Sequence, residues 1–456
     1  MSKTSTRREF LAKTSGLAIA GAIAPAYMAP AAGLPSVNPD KLDLGIIGVG
    51  GRGGANLNQV AGENIRALCD VNGAALASAK QRFKDASVFT DWRELVEDPK
   101  IDGVVISTAD HHHALAAIAA MRRGKHVYCE KPLSHTVVEA RLMQDEYGKR
   151  KRRIATQMGT QIHASENYRR VVELIQAGAV GPVREAHVWC GRTINAVGTA
   201  QLEAQPIPDD FDWDVWLGPA EDRPYNQGYW KGGNLNWNRR WEFGNGVLGD
   251  MGSHLIDLPF WALELKRPLT VESRGPDPDP IACPEWQDIV WEHGPRKGNA
   301  NLNVPTKVFW YHGPEGMRRR SERLQAQLGD DTDLGKWHIG VAFVGDEGIL
   351  VADYGKLLLS PSASFKDYEP PKASIPKSLG HHKEWLHACK TGAPTTCNFE
   401  YSGALIEHNL LGNVAHRVGK KIEWDASRLK ARGVPEASDF LTQTYRDGWE
   451  PGSLGR

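Results

Sequence analysis

Between Leu42 and about Gln157, short apolar runs alternate along the chain with amphipathic segments. The runs LDLGIIGVG, NIRALCD, DGVVISTA and KHVYCEKP have the composition of buried strands, and HALAAIAAMRRG has that of a helix between two of them. Buried strands that alternate with helices indicate an α/β domain with a parallel, doubly wound sheet. We predict that this domain covers residues 42–160.

The pattern changes after residue 160. RRVVELIQAGAVGPV predicts a helix that ends at a glycine, and REAHVWCGR alternates apolar and polar positions as a strand does. A long region rich in Trp, Pro and Gly follows, then weak strands and a helix near residues 403–417. We therefore predict a second, α+β domain over residues 161–425 with a Trp-rich insertion, and a C-terminal tail over 426–456.

The first residues have the three-part layout of an export signal. Four basic residues precede the apolar run 17–28, and small residues follow it. The pair Arg7 and Arg8, followed by Phe10, resembles a twin-arginine signal. The alternative is an ordinary amphipathic first helix. We predict a twin-arginine signal peptide over residues 1–32, a linker over 33–41 and a periplasmic or otherwise exported protein, with the twin-arginine machinery as partner and no stable membrane insertion after cleavage.

Composition narrows the class further. The 55 basic and 55 acidic residues balance, so charge gives no support for nucleic-acid binding. Six cysteines in 456 residues are too few for a scaffold built on disulfides. The 41% of hydrophobic residues suffices for packed cores and argues against disorder.

A glycine motif follows the first predicted strand. Gly48, Gly50 and Gly53 form G-x-G-x-x-G, and Asp70 ends the second strand. Such a turn brings backbone N–H groups and a helix N-terminus to a pyrophosphate, while the acid accepts hydrogen bonds from ribose hydroxyls. The carboxylate repels a 2′-phosphate and no arginine follows it, so NAD is favoured over NADP. A purely structural glycine loop is the alternative. The predicted cofactor contacts here are Gly48, Gly50, Gly51, Arg52, Gly53 and Asp70.

Two further motifs carry candidate catalytic groups. Glu130, Lys131 and Pro132 follow an apolar strand, at the sheet edge where open α/β sheets bind ligands. Asp250 and His254 are four residues apart and would share one helix face. A histidine can take up a hydroxyl proton near neutral pH, and an adjacent carboxylate can orient it. The alternative for His254 is a buried histidine that hydrogen-bonds a carbonyl.

The glycine loop, EKP at 130–132 and GDMGSHLID together resemble the Gfo/Idh/MocA family, as do GPVREAHVW, FDWDVWLGP and the stretch from HHKEWLHACK onward. The resemblance implies a Rossmann domain followed by an α+β domain with a large open, mostly antiparallel sheet. It also implies a sugar, glycoside or cyclitol substrate. Family members often pair through that sheet, which implies a homo-oligomer.

The resemblance assigns roles residue by residue. The EKP lysine corresponds to Lys131, which contacts nicotinamide and the reacting oxygen. The D-x-x-x-H pair corresponds to Asp250 and His254, with the histidine as acid/base. Further cofactor contacts implied in this way are Thr108, His113, Glu130 and Gln157.

A tryptophan-rich stretch precedes the D-x-x-x-H segment. Five of the fifteen tryptophans lie between residues 213 and 241, interleaved with polar side chains. Aromatic faces stack on sugar rings, and polar neighbours bind hydroxyls, although the same residues can simply anchor a loop. The predicted substrate contacts are Trp237, Arg239, Arg240 and Trp241.

We predict no metal site. His111 to His113 begin a helix, which gives them poor shared geometry, and no cluster of cysteines or acids accompanies them. His381 and His382 meet the same objection.

Three functions remain open. The first is an NAD-dependent oxidoreductase. The second is an NAD-dependent glycosidase that oxidises C3 transiently, and the third is a non-catalytic sugar-binding protein. An exported enzyme has no free nicotinamide pool outside the cell, so export favours a tightly bound NAD.

Overall fold

The computed structural model describes residues 40–194, 201–328 and 332–454, which form two sheets. The predicted signal peptide lies outside the described residues. The first sheet is parallel throughout, in the order β3-β2-β1-β4-β5-β6. Its strands are β1 (Asp43–Ile47), β2 (Asn64–Cys69), β3 (Ser87–Phe89), β4 (Gly103–Ile106), β5 (His126–Cys129) and β6 (Thr156–Met158). The predicted fold class is confirmed.

Helices connect these strands. They are α1 (Gly51–Val60), α2 (Gly73–Arg82), α3 (Trp92–Leu95), α4 (Asp110–Arg122) and α5 (Val137–Arg150). Helix α4 is buried along nearly its whole length, because alanines let it pack closely between the sheet and its neighbours. Helix α5 begins at a capping box, in which the side chains of Thr136 and Glu139 each bond the other's backbone N–H.

The second sheet has nine strands in the order β13-β12-β11-β7-β10-β9-β8-β14-β15, and only its β7–β10 pair is parallel. Its strands are β7 (Val183–Cys190), β8 (Thr270–Arg274), β9 (Gln287–His293), β10 (Thr306–His312), β11 (Ile339–Gly345), β12 (Gly348–Ala352), β13 (Leu357–Ser360), β14 (Ile422–Asp425) and β15 (Lys430–Arg432).

Side chains of β10 alternate between the two faces of this sheet. Val308 and Trp310 belong to the main core, whereas Phe309 and Tyr311 pack with Leu324 on the other face. The remaining helices are α6 (Glu166–Gln176), α7 (Trp213–Leu217), α8 (Asn234–Trp237), α9 (Ser253–Leu255), α10 (Asp257–Ala262), α11 (Gly313–Leu328), α12 (His381–Thr391), α13 (Phe399–Val418) and α14 (Ser438–Leu441). A π-helical turn, Leu248–Gly252, leads into α9. The helix predicted near 403–417 is therefore α13, which starts earlier, at the Asn398 cap.

The tryptophan-rich insertion packs against the first domain. Gly73 N–H donates to the Asp210 carbonyl at 2.7 Å, and Asp212 N–H donates to the Val71 carbonyl at 3.0 Å. We call these backbone bonds between residues 71–73 and 210–212 the clasp. They join the insertion to the end of β2.

The C-terminal residues also pack on the body of the protein. The Trp449 ring makes an edge contact with Trp92, and Arg446 bonds Asp214. Within the described residues, no helix combines the length and the apolar character that a membrane span requires.

Candidate active site

The glycine motif forms a tight turn between β1 and α1. Gly48 has φ +83°, and a side chain there would meet the Ser107 carbonyl oxygen at 2.6 Å. A side chain at Gly53 would meet the Gly48 carbonyl oxygen at 2.0 Å. Only glycine fits either place, so the backbone can fold closely and present the N-terminus of α1 to the cavity.

Asp70 is bonded to this turn. Its Oδ2 accepts hydrogen bonds from Val49 N–H at 2.8 Å and from Gly50 N–H at 3.3 Å, and its Oδ1 accepts one from Asn72 N–H at 2.9 Å. Burial raises the pKa of Asp70, while these N–H groups oppose the rise. The carboxylate therefore holds the turn in shape as well as facing the cavity.

Glu130 is a buried carboxylate with many donors. Its Oε1 accepts hydrogen bonds from Arg52 at 3.1 Å, Asn56 at 2.9 Å and Gln161 at 2.9 Å. Burial opposes its ionisation, but Arg52, Asn56 and Lys131 together hold the pKa of Glu130 below its ordinary value. It thus fixes the start of the EKP segment and ties it to α1.

Lys131 and Asp250 meet across the two domains. The Lys131 Nζ bonds Asp250 Oδ1, Arg192 bonds Asp250 Oδ2, and Asn234 donates to Oδ1 at 3.2 Å. Burial opposes ionisation of Asp250, but the two cations, led by Lys131, lower its pKa. Asp250 is therefore an ionised carboxylate between two cations, and it fixes the direction of the lysine.

His254 is oriented by Thr160. The Thr160 hydroxyl donates to the Ser253 carbonyl at 3.0 Å, so it can accept a hydrogen bond from His254 Nδ1–H, 3.1 Å away. The proton then resides on Nδ1, and Nε2, which has no bonding partner among the described residues, can accept one. Burial, with Lys131 nearby, lowers the pKa of His254 to about 3. The histidine is neutral at pH 7.

The expectation that the adjacent carboxylate orients His254 is therefore wrong. Asp250 lies on the π-helical turn Leu248–Gly252, which leads into the helix that carries His254. Its oxygens are bonded to Lys131 and Arg192 instead. Thr160 could have been chosen as a candidate from its position just after β6, because that strand ends at the same sheet edge as the strand before Lys131.

One cavity of about 860 Å³ contains most of the predicted site. It is lined by the glycine turn at one end and by the Lys131–Asp250 pair and His254 at the other. The predicted residues that line it are Gly48, Gly50, Gly51, Arg52, Asp70, Thr108, His113, Glu130, Lys131, Trp237, Asp250 and His254.

Five predicted residues lie outside this lining: Gly53, Gln157, Arg239, Arg240 and Trp241. Gln157 is buried and donates to the His381 carbonyl at 2.5 Å. Trp241 donates to the Asp279 carbonyl and lines a separate cavity of about 410 Å³. The chain turns away from the cleft after Asn238, which explains why neighbours in sequence separate in space.

The cavity also contains polar residues that the sequence did not single out. Arg192 follows β7, Asn234 begins α8, and Tyr354 follows β12. The Tyr354 hydroxyl is buried without a bonding partner among the described residues, and its ring makes an edge contact with His254. Asp110, at the start of α4, also lines the cavity.

One cluster of possible metal ligands occurs among the described residues. His163, Asp257 and Cys397 are buried together. His163 Nδ1 bonds Asp257 at 2.9 Å, and Tyr401 donates to the same carboxylate at 2.7 Å. The two carboxylate oxygens of Asp257, which would have to bind a metal ion, already take part in these hydrogen bonds. None of the three residues lines the main cavity.

The cleft fits a dinucleotide. A side chain at Gly48 or Gly53 would collide with backbone, so the turn is built for close approach, and the N-terminus of α1 faces the cavity beside Asp70. Gly50 and Gly51 would face the pyrophosphate, and Thr108, His113 and Lys131 line the path toward the other end. A parallel Rossmann sheet with this cleft defines a protein that binds a dinucleotide.

Comparison with known proteins names the family. Residues 42–158 match the model described as "Oxidoreductase family, NAD-binding Rossmann fold", and residues 178–303 match "Oxidoreductase family, C-terminal alpha/beta domain". Both belong to Gfo/Idh/MocA. The chain belongs to the Gfo/Idh/MocA family of oxidoreductases.

Individual relatives are similar over part of the chain. Inositol 2-dehydrogenase of Salmonella paratyphi B is 32% identical over 187 residues, which are 39% of this chain and 54% of the relative. A glycosyl hydrolase family 109 protein of Shewanella baltica is 31% identical over 205 residues, 38% of this chain and 43% of the relative. The matches thus span about half the length of these relatives.

A solved structure shares the fold over most of the chain. Levoglucosan dehydrogenase in complex with NADH and levoglucosan aligns with a TM-score of 0.53 and 18% identity, over 84% of this chain and 99% of that one.

Proposed function

We propose that the protein is an NAD-dependent dehydrogenase that oxidises a hydroxyl of a sugar, glycoside or cyclitol, or reduces the corresponding ketone. The observation that carries the proposal is the meeting of Lys131, Asp250 and His254 in the cavity that also contains the glycine turn. These residues supply a cation for the reacting oxygen and a base for its proton. The inositol and levoglucosan dehydrogenases among the similar proteins support the substrate class.

In this mechanism each side chain has one task. NAD, when bound, supplies the hydride acceptor. His254 Nε2 accepts the proton of the substrate hydroxyl, because Thr160 keeps the ring proton on Nδ1. Lys131 stabilises the negative charge that develops on the oxygen, and Asp250 holds the lysine in place. In the reverse direction the same histidine returns the proton.

The acidic surroundings of the adenosine end favour NAD over NADP. Asp70 lies where a 2′-phosphate would approach, and the next side chain with hydrogen-bonding capacity, Asn72, accepts the Ala75 N–H of its own helix. A neighbouring depression that shares Asp70 adds more negative charge. Its other acidic residues are Asp209, Asp210, Asp212, Asp214 and Asp222. Together they repel an additional phosphate.

The insertion supports tight cofactor binding. The clasp fastens it to the end of β2, and Phe211, Trp216, Trp230 and Trp237 line the cavity from the insertion side. The Phe211 and Trp230 rings stack 4.4 Å apart. NAD would therefore lie between the sheet edge and an aromatic wall on the insertion side.

The test uses mature protein purified without added nucleotide. Nucleotide released by heat denaturation is identified by chromatography, and absorbance near 340 nm is followed while myo-inositol, levoglucosan, glucose and aryl glycosides are added. Co-purified NAD and its reduction by one of these compounds, with turnover about 10²-fold slower in His254→Ala, are the expected results. No reduction by any compound in enzyme with NAD bound would contradict the proposal.

A second candidate is an NAD-dependent glycosidase. The observation that favours it is the walled cofactor site, since a redox-neutral cycle needs no exchange of cofactor, and the family 109 relative points the same way. In that cycle the hydride taken from C3 returns to the sugar after the glycosidic bond has been eliminated and water added. Release of aglycone over many turnovers without net NADH would establish it.

Export through the twin-arginine route is part of the proposal. A reporter fused to residues 1–41 should reach the periplasm, and the Arg7→Lys, Arg8→Lys double variant should retain it in the cytoplasm. Equal export of both fusions would rule out a twin-arginine signal.

A further inference from the structure

Arg192 is an accessible cation in the active-site cavity, and the mechanism gives it no task. It follows β7, where Gly191 N–H donates to the His338 carbonyl at 2.7 Å and fixes the backbone at the end of the sheet. The Arg192 side chain is 37% exposed and lines the cavity that contains Lys131 and His254. A ligand in this cavity can therefore reach the guanidinium group.

The chain uses only part of this guanidinium. Nη1 bonds Asp250 Oδ2. Nε and Nη2 make no hydrogen bond to the described residues, and neither atom is closed off from solvent. A guanidinium carries its N–H donors in a planar fork, and one edge of that fork matches the two oxygens of a carboxylate. The Nε–Nη2 edge of Arg192 remains available for such a group.

The one carboxylate that Arg192 contacts is shared with another cation. Lys131 bonds Asp250 Oδ1 and Arg192 bonds Oδ2, so one negative charge faces two positive ones. A third cation of the cavity, Arg52, is paired with Glu130 at 3.1 Å. Lys131 and Arg192 therefore retain between them a positive charge that Asp250 does not balance.

Asp110, the other acid at this end, does not supply the missing charge to Arg192. It is 5% exposed, and the cation that acts on it most strongly is Lys131. Burial raises the pKa of Asp110 to about 7, so its negative charge is only partial at neutral pH. The end of the cavity around Lys131 and Arg192 is therefore net positive, which attracts an anion.

We propose that Arg192 is a specificity-determining residue that binds a carboxylate of the substrate, so that the substrate is a sugar acid such as a uronate. This inference rests on the proposed function and deepens it. The Nε–Nη2 edge would bind the two carboxylate oxygens while Nη1 stays on Asp250. A uronate carries this carboxylate and the reacting hydroxyl on one molecule, and its charge balances the excess at this end of the cavity.

The first test needs only wild-type holoenzyme. Glucuronate and galacturonate, each beside its amide, are added alongside myo-inositol, levoglucosan and glucose, and reduction of bound NAD is followed. The amide keeps the shape of the acid but removes its charge. We expect kcat/KM to be at least about tenfold higher for one of the acids than for its amide, and higher than for any neutral compound. A smaller ratio, or a neutral compound that is oxidised as efficiently as the better acid, would overturn the inference.

Arg192→Gln tests whether the preference comes from this side chain. The ratio of kcat/KM for the acid to that for the amide should fall below about threefold, because the charge and the fork are both removed. The loss of a partner for Asp250 affects both compounds alike and cancels in the ratio. A ratio that survives the substitution would overturn the inference.

Two further variants keep this test decisive. Arg184→Gln is the matched control, since Arg184 lies on β7, is 51% exposed and bonds Asp346 outside the cavity, and the ratio should not change. If circular dichroism shows that Arg192→Gln does not fold, Arg192→Lys takes its place. Lysine keeps the charge without the planar fork, so the ratio should fall at least about threefold. An unchanged ratio in that variant would overturn the inference.

The pyrophosphate of NAD is a second anion that an arginine in this cavity could bind. The glycine turn that would face it lies at the opposite end of the cavity from Arg192. Calorimetric titration with NADH separates the two anions, because the proposal predicts Kd values within about threefold for wild type and Arg192→Gln. A Kd for NADH that rises about tenfold or more in the variant would assign Arg192 to the cofactor and overturn the inference.

If wild type reduces NAD with none of the compounds, acidic or neutral, the proposed function fails. Equilibrium binding of glucuronate and glucuronamide to the protein with NADH bound then decides about Arg192. Binding of the acid at least about tenfold tighter than that of the amide, with the difference lost in Arg192→Gln, would support the inference. Equal binding of the two compounds, a difference that persists in the variant, or no binding of the acid would overturn it.

Discussion

The two ends of the cleft differ in how far the chain itself satisfies their polar groups. At the dinucleotide end, Asp70 accepts three backbone hydrogen bonds and Glu130 accepts three from side chains. At the other end, Asp110 Oδ2 and the Tyr354 hydroxyl are buried without partners among the described residues. His254 Nε2 also lacks a partner there. One end is complete before any ligand arrives, and the other is not.

This difference separates two kinds of recognition. A dinucleotide is bound by a turn whose shape the carboxylate of Asp70 already holds, so little ordering is needed on binding. At the other end, the proposed hydroxyl-bearing substrate would lie beside polar groups that the chain leaves unpaired, and a buried polar group without a partner costs about 1–3 kcal/mol. The first arrangement favours retention of one cofactor, and the second favours selection among similar sugars.

The largest expected effect is at Lys131. Lys131→Met should lower kcat/KM by about 10³-fold, because it removes the cation from the developing oxyanion. Steady-state kinetics and calorimetric NADH binding are the measurements, and binding should change far less than turnover. Lys149→Met, on the exposed end of α5, is the control. A Lys131→Met enzyme with more than about a tenth of wild-type activity would contradict the assigned role.

Removal of the base should have the next largest effect. His254→Ala should lower kcat by about 10²-fold, with partial rescue by added imidazole. Because burial and the nearby cations hold the pKa of His254 near 3, wild-type kcat should show no histidine-like fall between pH 8 and pH 6. If wild-type kcat instead falls with a pKa near 6.5, and this fall is absent in His254→Ala, then the environment of His254 does not lower its pKa.

The Asp70 prediction concerns the dinucleotide end of the cleft, where the chain itself satisfies the polar groups. Asp70→Ala should weaken NAD binding by about 10–30-fold, roughly 2 kcal/mol, because both the turn and the ribose contacts lose an acceptor. Calorimetry with NAD and NADP is the measurement. The ratio of the two affinities should shift toward NADP. A variant with unchanged affinity for both would show that the turn holds its shape without the carboxylate.

For Asp110, at the other end of the cleft, the prediction concerns the free energy of unfolding. Its folded pKa of about 7 exceeds its unfolded value of about 3.9, so its ionisation destabilises the fold as the pH rises between those values. Asp110→Asn should therefore be more stable than wild type at pH 8, by about 4 kcal/mol in urea unfolding, with no gain at pH 4. An equal difference at both pH values would exclude ionisation as the cause.

Thr160 should give the smallest effect. Thr160→Val keeps the shape but removes the acceptor that holds the proton on His254 Nδ1, so kcat should fall about tenfold with KM unchanged. Thr160→Ser, which restores a hydroxyl, should recover most of the activity. Failure of the serine variant to recover activity would indicate a packing effect.

The parts of the site that follow from short-range patterns could be predicted from sequence. Alternating apolar runs gave the parallel sheet, and the turn of Gly48 to Gly53 and the EKP segment have local motifs. The partners of Asp250 and His254 could not be predicted from their spacing, since Lys131, Arg192 and Thr160 come from distant parts of the chain. Thr160 could not be assigned its role either, because its partner is 94 residues away.

The insertion shows the same limit. Trp237, Arg239, Arg240 and Trp241 are close in sequence, and only Trp237 reaches the cavity. The direction of each side chain depends on how α8 and the following turn pack against both domains, which no local pattern specifies. The resemblance to a family gave the motif residues, but it assigned no role to any of these four residues.

The clasp couples two parts of the cleft that are far apart in sequence. Its backbone bonds join residues 71–73, next to Asp70, to residues 210–212 of the insertion, and the insertion also supplies Trp237 to the other end of the cavity. A displacement of the insertion would therefore disturb both ends of the cleft together.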